Sequence, residues 1–328
     1  MAEPAKNRPT GWGDPPVIQP ALESIRAAGQ RIRGAAVRTP ILKFDAADNL
    51  CIKPELLQPS GSFKFRGVYN WALRLSPAER SRGFSTFSAG NTALALGYVA
   101  RMLGVPCRSI LPEYAPENKV SALESIGVDT VLVPFDEMMD WVFRAGWRRE
   151  PYSFLNPWTE TELIAGHATI GLELMEDTPD VKTVFVPVGG GALIAGVASA
   201  VKQQNPSVRV VGVQTESYPA LATSVAAGHP VWVESKPTIC DGVAVPFTTD
   251  QLFPLLRRLV DRVITVPESA VRAMIRLLAL RAKLVVEGAG ALAIAGVLAV
   301  PEDERGKSVG LVTGGSINPT LLSEILGG

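Results

Sequence analysis

Residues 183–196 read TVFVPVGGGALIAG: an apolar run of strand length, three successive glycines, and the start of an apolar run of helical length. Gly189, Gly190 and Gly191 let the backbone turn tightly and approach a ligand closely. The helix that follows offers unpaired N–H groups and the positive end of its dipole, together with the amides of Ala192 and Leu193, as a seat for a phosphate. A tight strand-to-helix turn without a ligand is the plainer reading of the same residues. Either way, strand, glycine turn and helix in succession form the repeating unit of an α/β fold.

The same alternation recurs on both sides of this unit. Short β-rich runs are expected at 84–88, 107–111, 130–134, 183–188, 208–213, 262–266 and 308–313, with helices at 92–103, 119–126, 161–175, 192–204 and 268–282. Such a pattern predicts a largely parallel sheet. A chain of 328 residues exceeds the size at which one core usually stops growing, so two lobes are expected, with a cleft between them as the natural ligand site. The irregular, aromatic stretch 147–159 interrupts the pattern and marks a lobe boundary. The opening residues 1–16 are rich in Pro and Gly and read as a loose arm.

Composition excludes several classes of function. Lys plus Arg and Asp plus Glu are 32 each, so no global field draws nucleic acid or an anionic membrane. Cys51, Cys107 and Cys240 are odd in number and widely spaced, and only two histidines occur, which argues against zinc clusters and disulfide frameworks. The apolar stretch 284–300 is broken by Glu287 and rich in Gly and Ala, and it reads as a buried helix rather than a membrane span. With no apolar leader at the N-terminus, a cytoplasmic protein is expected.

Known nucleotide motifs do not fit. The dinucleotide fingerprint requires glycine where Ile194 stands, and a phosphate loop ending at Lys307 and Ser308 requires glycine where Pro301 stands. Residues 314–318 likewise fail the nucleophile-elbow pattern of hydrolases. Two further turns follow strands. Ser88, Ala89, Gly90, Asn91 and Thr92 open a helix and suit a carboxylate as well as plain capping. Thr313, Gly314 and Gly315 end an apolar strand. Lys64 stands where a turn-like PSGS meets a helix, flanked by Phe63 and Phe65. Lysines at such junctions are ordinarily solvated, but desolvation between two aromatic rings would lower the amine pKa as a Schiff-base lysine requires.

Taken together, seven segments resemble the fold type II pyridoxal-phosphate enzymes, in the branch of threonine and serine dehydratases and serine racemases. They are PSGSFKFRG at 59–67, SAGN at 88–91, IAGHATIGLEL at 164–174, VPVGGGALIAG at 186–196, DGV at 241–243, VVEGAGALA at 285–293 and LVTGG at 311–315. They stand in the family's order and span nearly the whole chain. The resemblance implies a two-lobed α/β fold like that of the tryptophan synthase β subunit, with parallel-sheet lobes and helices on both faces. It places 1–68 and 156–328 in a large cofactor-binding domain and 69–155 in a small one.

The resemblance also implies roles. Lys64 would hold pyridoxal 5'-phosphate and act as the base on the substrate α-carbon, and Phe63 would pack on the ring. Gly189 to Gly191 with Ala192 and Leu193 would cradle the phosphate, while Asn91 would meet the phenolic oxygen. Gly242 and Glu287 would border the ring, and Thr313 would meet its nitrogen with a hydroxyl rather than an acid. Ser88, Ala89, Gly90, Asn91, Thr92 and Asn156 would receive the substrate. The implied reaction is dehydration and deamination of L-threonine, L-serine or a related β-hydroxy amino acid to a 2-oxo acid and ammonia, by a homodimer or homotetramer.

Departures from the family's pattern keep alternatives open. Ala89 replaces the serine that reprotonates the opposite face in racemases, so racemisation is expected to be minor. Gln214 and Ala220 stand where metal-dependent relatives carry acidic ligands, so no metal site is expected. Thr92 replaces the histidine common in dehydratases, whereas FKFR resembles dehydratases more than synthases. A β-replacement or threonine-synthase-like lyase therefore stays open, as does a non-catalytic binder with the same fold. The sequence stops at Gly328, so feedback through the regulatory extension of biosynthetic threonine dehydratases is not expected. Phe135, Trp141, Phe154 and Trp158 read mainly as core, with an enlarged substrate pocket as the alternative.

Overall fold

A computed structural model describes residues 10–327. Among the described residues ten strands form two sheets: β1 (Leu42–Lys43), β2 (Leu50–Pro54), β3 (Phe84–Phe87), β4 (Cys107–Pro112), β5 (Val128–Val133), β6 (Ser153–Phe154), β7 (Thr183–Pro187), β8 (Arg209–Thr215), β9 (Arg262–Val266) and β10 (Ser308–Val312). The six-stranded sheet has the order β1-β2-β10-β7-β8-β9, and the four-stranded sheet the order β5-β4-β3-β6. Every pairing is parallel except the short β1–β2 contact at one edge. The chain is thus α/β with parallel sheets, as the alternation of patterns predicts.

Side chains alternate across the six-stranded sheet, and its strands β2, β10 and β7 are buried on both faces. Val184 and Val186 of β7 pack with the helix Ala192–Gln204, whereas Phe185 packs with the helix Gly288–Leu298. The latter helix is the apolar stretch expected to be buried. Its Gly296 lies so close to β8 that an added Cβ would stand 2.5 Å from Val213 Cγ2. A separate core around Leu96, Val99 and Leu111 fills the four-stranded half.

Several expectations need correction. Strands β1, β2 and β6 lie outside the runs that the pattern predicts. In β2 the sequence LCIKP contains a lysine and a proline, yet Lys53 is fully buried because Glu173 neutralises it at 2.6 Å. The stretch 147–159 is not simply irregular, since β6 within it pairs with β3. The helix expected at 268–282 is α-helical only over Glu268–Leu277, then widens into a π-turn, Leu278–Ala282, that ends at Lys283 with φ 60°. Of the loose arm expected at 1–16, residues 1–9 lie outside the described residues. Residues 10–16 are docked rather than loose, because Trp12 finds both a hydrogen-bond acceptor in Val142 and an aromatic partner in Trp158.

Candidate active site

The turn after β7 is built as its sequence suggests. Gly191 has φ 96°, a conformation that favours glycine, and it precedes a helix that no side chain caps. An added Cβ would meet Val243 Cα at 2.9 Å from Gly189, Trp158 Cδ1 at 2.2 Å from Gly190 and Leu256 Cδ1 at 2.7 Å from Gly191. The turn therefore tolerates only glycine and leaves its amides, with those of Ala192 and Leu193, facing a cavity of about 860 Å³.

Lys64, which lines the same cavity, opens the helix Lys64–Arg74. Its loop is stitched to the end of β10: Phe63 N–H donates to Thr313 O at 3.0 Å and Gly315 N–H to Gly61 O at 3.1 Å. The amine lies 5.0 Å from the centroid of the Phe63 ring and takes no hydrogen bond from the described residues. Desolvation lowers its pKa to about 8, partly opposed by the charge of Glu287. Behind Phe63 stands His167, fully buried, its ring 4.8 Å from that of Phe63 and its nitrogens without partners. Burial, then the charges of Lys64 and Arg66, hold its pKa well below the ordinary value, so the ring is neutral.

The loop Ser88–Thr92 forms a third wall. Ser109 fixes it, accepting from Ser88 N–H at 3.2 Å and donating to Ser88 O at 2.7 Å, while Ser88 Oγ accepts from Gly90 N–H at 3.1 Å. The helix Asn91–Leu103 begins here without a side-chain cap. Asn91 Nδ2 donates to Glu287 Oε1 at 2.7 Å, and Asn91 Oδ1 accepts from Ser316 Oγ at 3.0 Å. Burial and then the charge of Asp241 raise the Glu287 pKa to about 7, although the Asn91 hydrogen bond opposes this. Thr313 Oγ1 makes only a long contact, 3.4 Å, with Ala289 O.

The structure thus brings Phe63, Lys64, Ser88 to Thr92, Gly189 to Leu193, Gly242, Glu287 and Thr313 around one cavity. Asn156 is the exception. Its Oδ1 accepts from the backbone N–H groups of Trp158, at 3.0 Å, and Thr159, at 3.4 Å, so it shapes a turn while Pro157 and Trp158 line the cavity instead. Of the four aromatic residues weighed as pocket or core, only Trp158 reaches the cavity. Phe87 and Lys119 line it without having been singled out by their sequence, and Lys119 pairs with Asp241, the first residue of the DGV segment, which lines it too. Phe87 is legible only as the residue before SAGN. Gln214 is fully buried with its amide committed to Val188 O and Ala222 N–H.

A lysine amine without a hydrogen-bond partner and a glycine-only turn before an uncapped helix line one cavity of small-ligand size, an arrangement that fits an aldehyde bearing a phosphate. The family described as pyridoxal-phosphate dependent enzyme matches residues 32–314. An L-threonine ammonia-lyase of Thermotoga maritima is 39% identical over 313 residues, covering 93% of this chain and 78% of that protein. The L-threonine dehydratase catabolic TdcB of Escherichia coli K12 is 36% identical and covers 94% of this chain and 96% of that protein. Maize serine racemase superposes with a TM-score of 0.87 at 31% identity, covering 94% of this chain and 97% of its own. A threonine deaminase from T.th. superposes with a TM-score of 0.84 at 35% identity, covering 91% of this chain and 99% of its own. On the match of family, sequence and fold over nearly its whole length, this chain belongs to the pyridoxal-phosphate dependent enzymes.

Proposed function

We propose that the chain is an ammonia-lyase that converts a small β-hydroxy amino acid, L-threonine or L-serine, to a 2-oxo acid and ammonia. The observation that carries this reading is the amine of Lys64, without a hydrogen-bond partner among the described residues, on one cavity with the glycine turn and the Ser88–Thr92 loop. When bound, pyridoxal phosphate supplies an electron sink for charge developing at the substrate α-carbon.

The protein's own groups would do the rest. Lys64 would attach the cofactor and, once freed, remove the α-proton, a task suited to an amine whose pKa is about 8. The amides of residues 189–193 would hold the phosphate, and the start of the helix Asn91–Leu103 would hold the substrate carboxylate. Asn91, fixed by Glu287 and Ser316, would orient its amide towards the cofactor edge. Phe63 and Gly242 would bound the ring, and Thr313 would face it with a hydroxyl. Ala89 provides no acid to return a proton to the opposite face, which favours elimination over racemisation.

Division into a cofactor domain of 1–68 and 156–328 and a small domain of 69–155 belongs to the same proposal, as does a homodimer or homotetramer. A cytoplasmic location is proposed too, supported by three buried cysteines that are all free. Among the described residues no helix is long and apolar enough to cross a membrane. The test is a panel of threonine, serine, O-acetylserine and homoserine phosphate with cofactor-loaded protein. Release of 2-oxo acid from the first two, abolished in Lys64→Ala together with the visible absorbance of bound cofactor, is the expected result. Product only from the activated substrates would replace this reading with a β-replacement or synthase activity.

A further inference from the structure

Residues 10–17 form a strap beside the cavity, tied at both ends. Thr10 Oγ1 donates to Asp250 Oδ1 at 2.7 Å and Thr10 O accepts from Asp250 N–H at 2.9 Å, while Val17 N–H donates to Gln251 O at 2.8 Å. Between these ties, Trp12 Nε1–H donates to Val142 O at 2.8 Å and Asp14 pairs with Arg148 at 2.5 Å. The strap therefore bridges the segment 142–148 to the segment 250–251.

Its indole lies parallel to that of Trp158, with ring centroids 5.8 Å apart and planes within 4°. Trp158 in turn meets Phe87 at 4.9 Å and Phe247 at 5.2 Å, and it presses on Gly190, where an added Cβ would stand 2.2 Å from its Cδ1. Phe87 directly precedes the Ser88–Thr92 loop. The two rings make one apolar wall joining the loop for the substrate carboxylate to the turn for the phosphate. A substrate held by its carboxylate on that loop, beside a cofactor whose phosphate rests on that turn, would leave the remaining substituent of its β-carbon to be accommodated along that wall.

We propose that Trp158, held in place by Trp12 of the strap, determines the size of the β-substituent the enzyme accepts. This rests on the ammonia-lyase reading. Trp158 touches the substrate subsite and is a specificity residue; Trp12 acts through it and is a positioning residue. Because a single methylene in an apolar pocket changes discrimination by about tenfold or more, removing an indole from this wall has a large effect on selectivity.

The test compares kcat/KM for β-phenylserine and for threonine in cofactor-loaded native protein, W158A, W12A and W12F. The ratio of phenylserine to threonine is expected to rise by at least about tenfold in W158A, to rise less in W12A, and to return towards the native value in W12F. A merely structural role would lower both substrates together and leave the ratio unchanged. A ratio within twofold of native in W158A overturns the proposal. Should W158A fail to fold, W158F and W12A carry the same comparison. Substrate titrations of the visible absorbance of bound cofactor accompany the kinetics. Native protein that binds both amino acids yet releases no 2-oxo acid overturns the ammonia-lyase reading, and the ratio of dissociation constants then decides the role of Trp158.

Discussion

Replacing Arg66 by methionine is expected to cost about 3–5 kcal/mol, the range for removing one partner of a buried ion pair. Arg66 is 1% exposed and gripped by two carboxylates. Its Nε and Nη2 donate to Glu55 at 2.7 and 2.8 Å, and its Nη1 and Nη2 donate to Glu173 at 2.6 and 2.9 Å. Lys53, also buried, donates to Glu173 at 2.6 Å, so two cations face two carboxylates and the charges cancel. Without Arg66, the fully buried Glu55 retains hydrogen bonds only from Thr39, at 2.6 Å, and Gln58, at 3.1 Å. The predicted loss is large against a total stability of about 5–15 kcal/mol.

The pH dependence gives a second, independent check. Burial pushes the Glu55 carboxyl up, but the charge of Arg66, its hydrogen bonds and the charge of Lys53 outweigh burial and hold the pKa below the ordinary value. A group with a depressed folded pKa contributes stability that is present above the unfolded value, about 4.3, and lost as pH falls through the folded one. Native protein loses this contribution on acidification. The gap between native and Arg66→Met therefore closes as pH falls below about 4.3. Urea unfolding of both proteins from pH 7 to pH 3.5, followed by circular dichroism, measures it. A gap under 1 kcal/mol at pH 7, or one independent of pH, would refute the reasoning.

Other consequences follow from the site. In Gly189→Ala the new Cβ meets the Val243 backbone, which cannot yield as a flexible side chain would, so the turn itself must shift. Equilibrium titration should find cofactor affinity at least about tenfold weaker, or about 1.4 kcal/mol; unchanged affinity would separate the glycine turn from phosphate binding. Covalent attachment of cofactor to the apoenzyme should accelerate with rising pH around a midpoint near 8, not near the ordinary lysine value of 10.5, because only the neutral amine attacks. In Glu287→Gln that midpoint should fall, since the lost negative charge no longer favours the protonated amine. A midpoint that rises or stays fixed would show that Glu287 does not act on Lys64.

Much of this site is readable in one dimension. Lys64 stands at the loop-to-helix junction, Gly189 to Gly191 end a strand, and Ser88 to Thr92 open a helix, each where turn residues and apolar periodicity put it. The short strands β2 and β6 are not readable. Lys53 and Pro54 obscure one, and the other has only two residues, so neither presents a run long enough to show a period. Asn156 illustrates a different limit. Its side chain can serve a ligand or its own backbone, and only the folded chain shows it accepting from the Trp158 and Thr159 N–H groups.

Periodicity and turn chemistry act over a few residues, so most of the alternation of strands and helices, the glycine turn and the place of Lys64 at a helix start are inherent in the chain's linear pattern. Partnerships between distant side chains are not. Asn91 meets Glu287 across 196 positions, Arg66 meets Glu173 across 107, and Trp12 stacks on Trp158 across 146. Buried polar groups and aromatic faces accept many partners of the right chemistry, and three-dimensional packing selects among them.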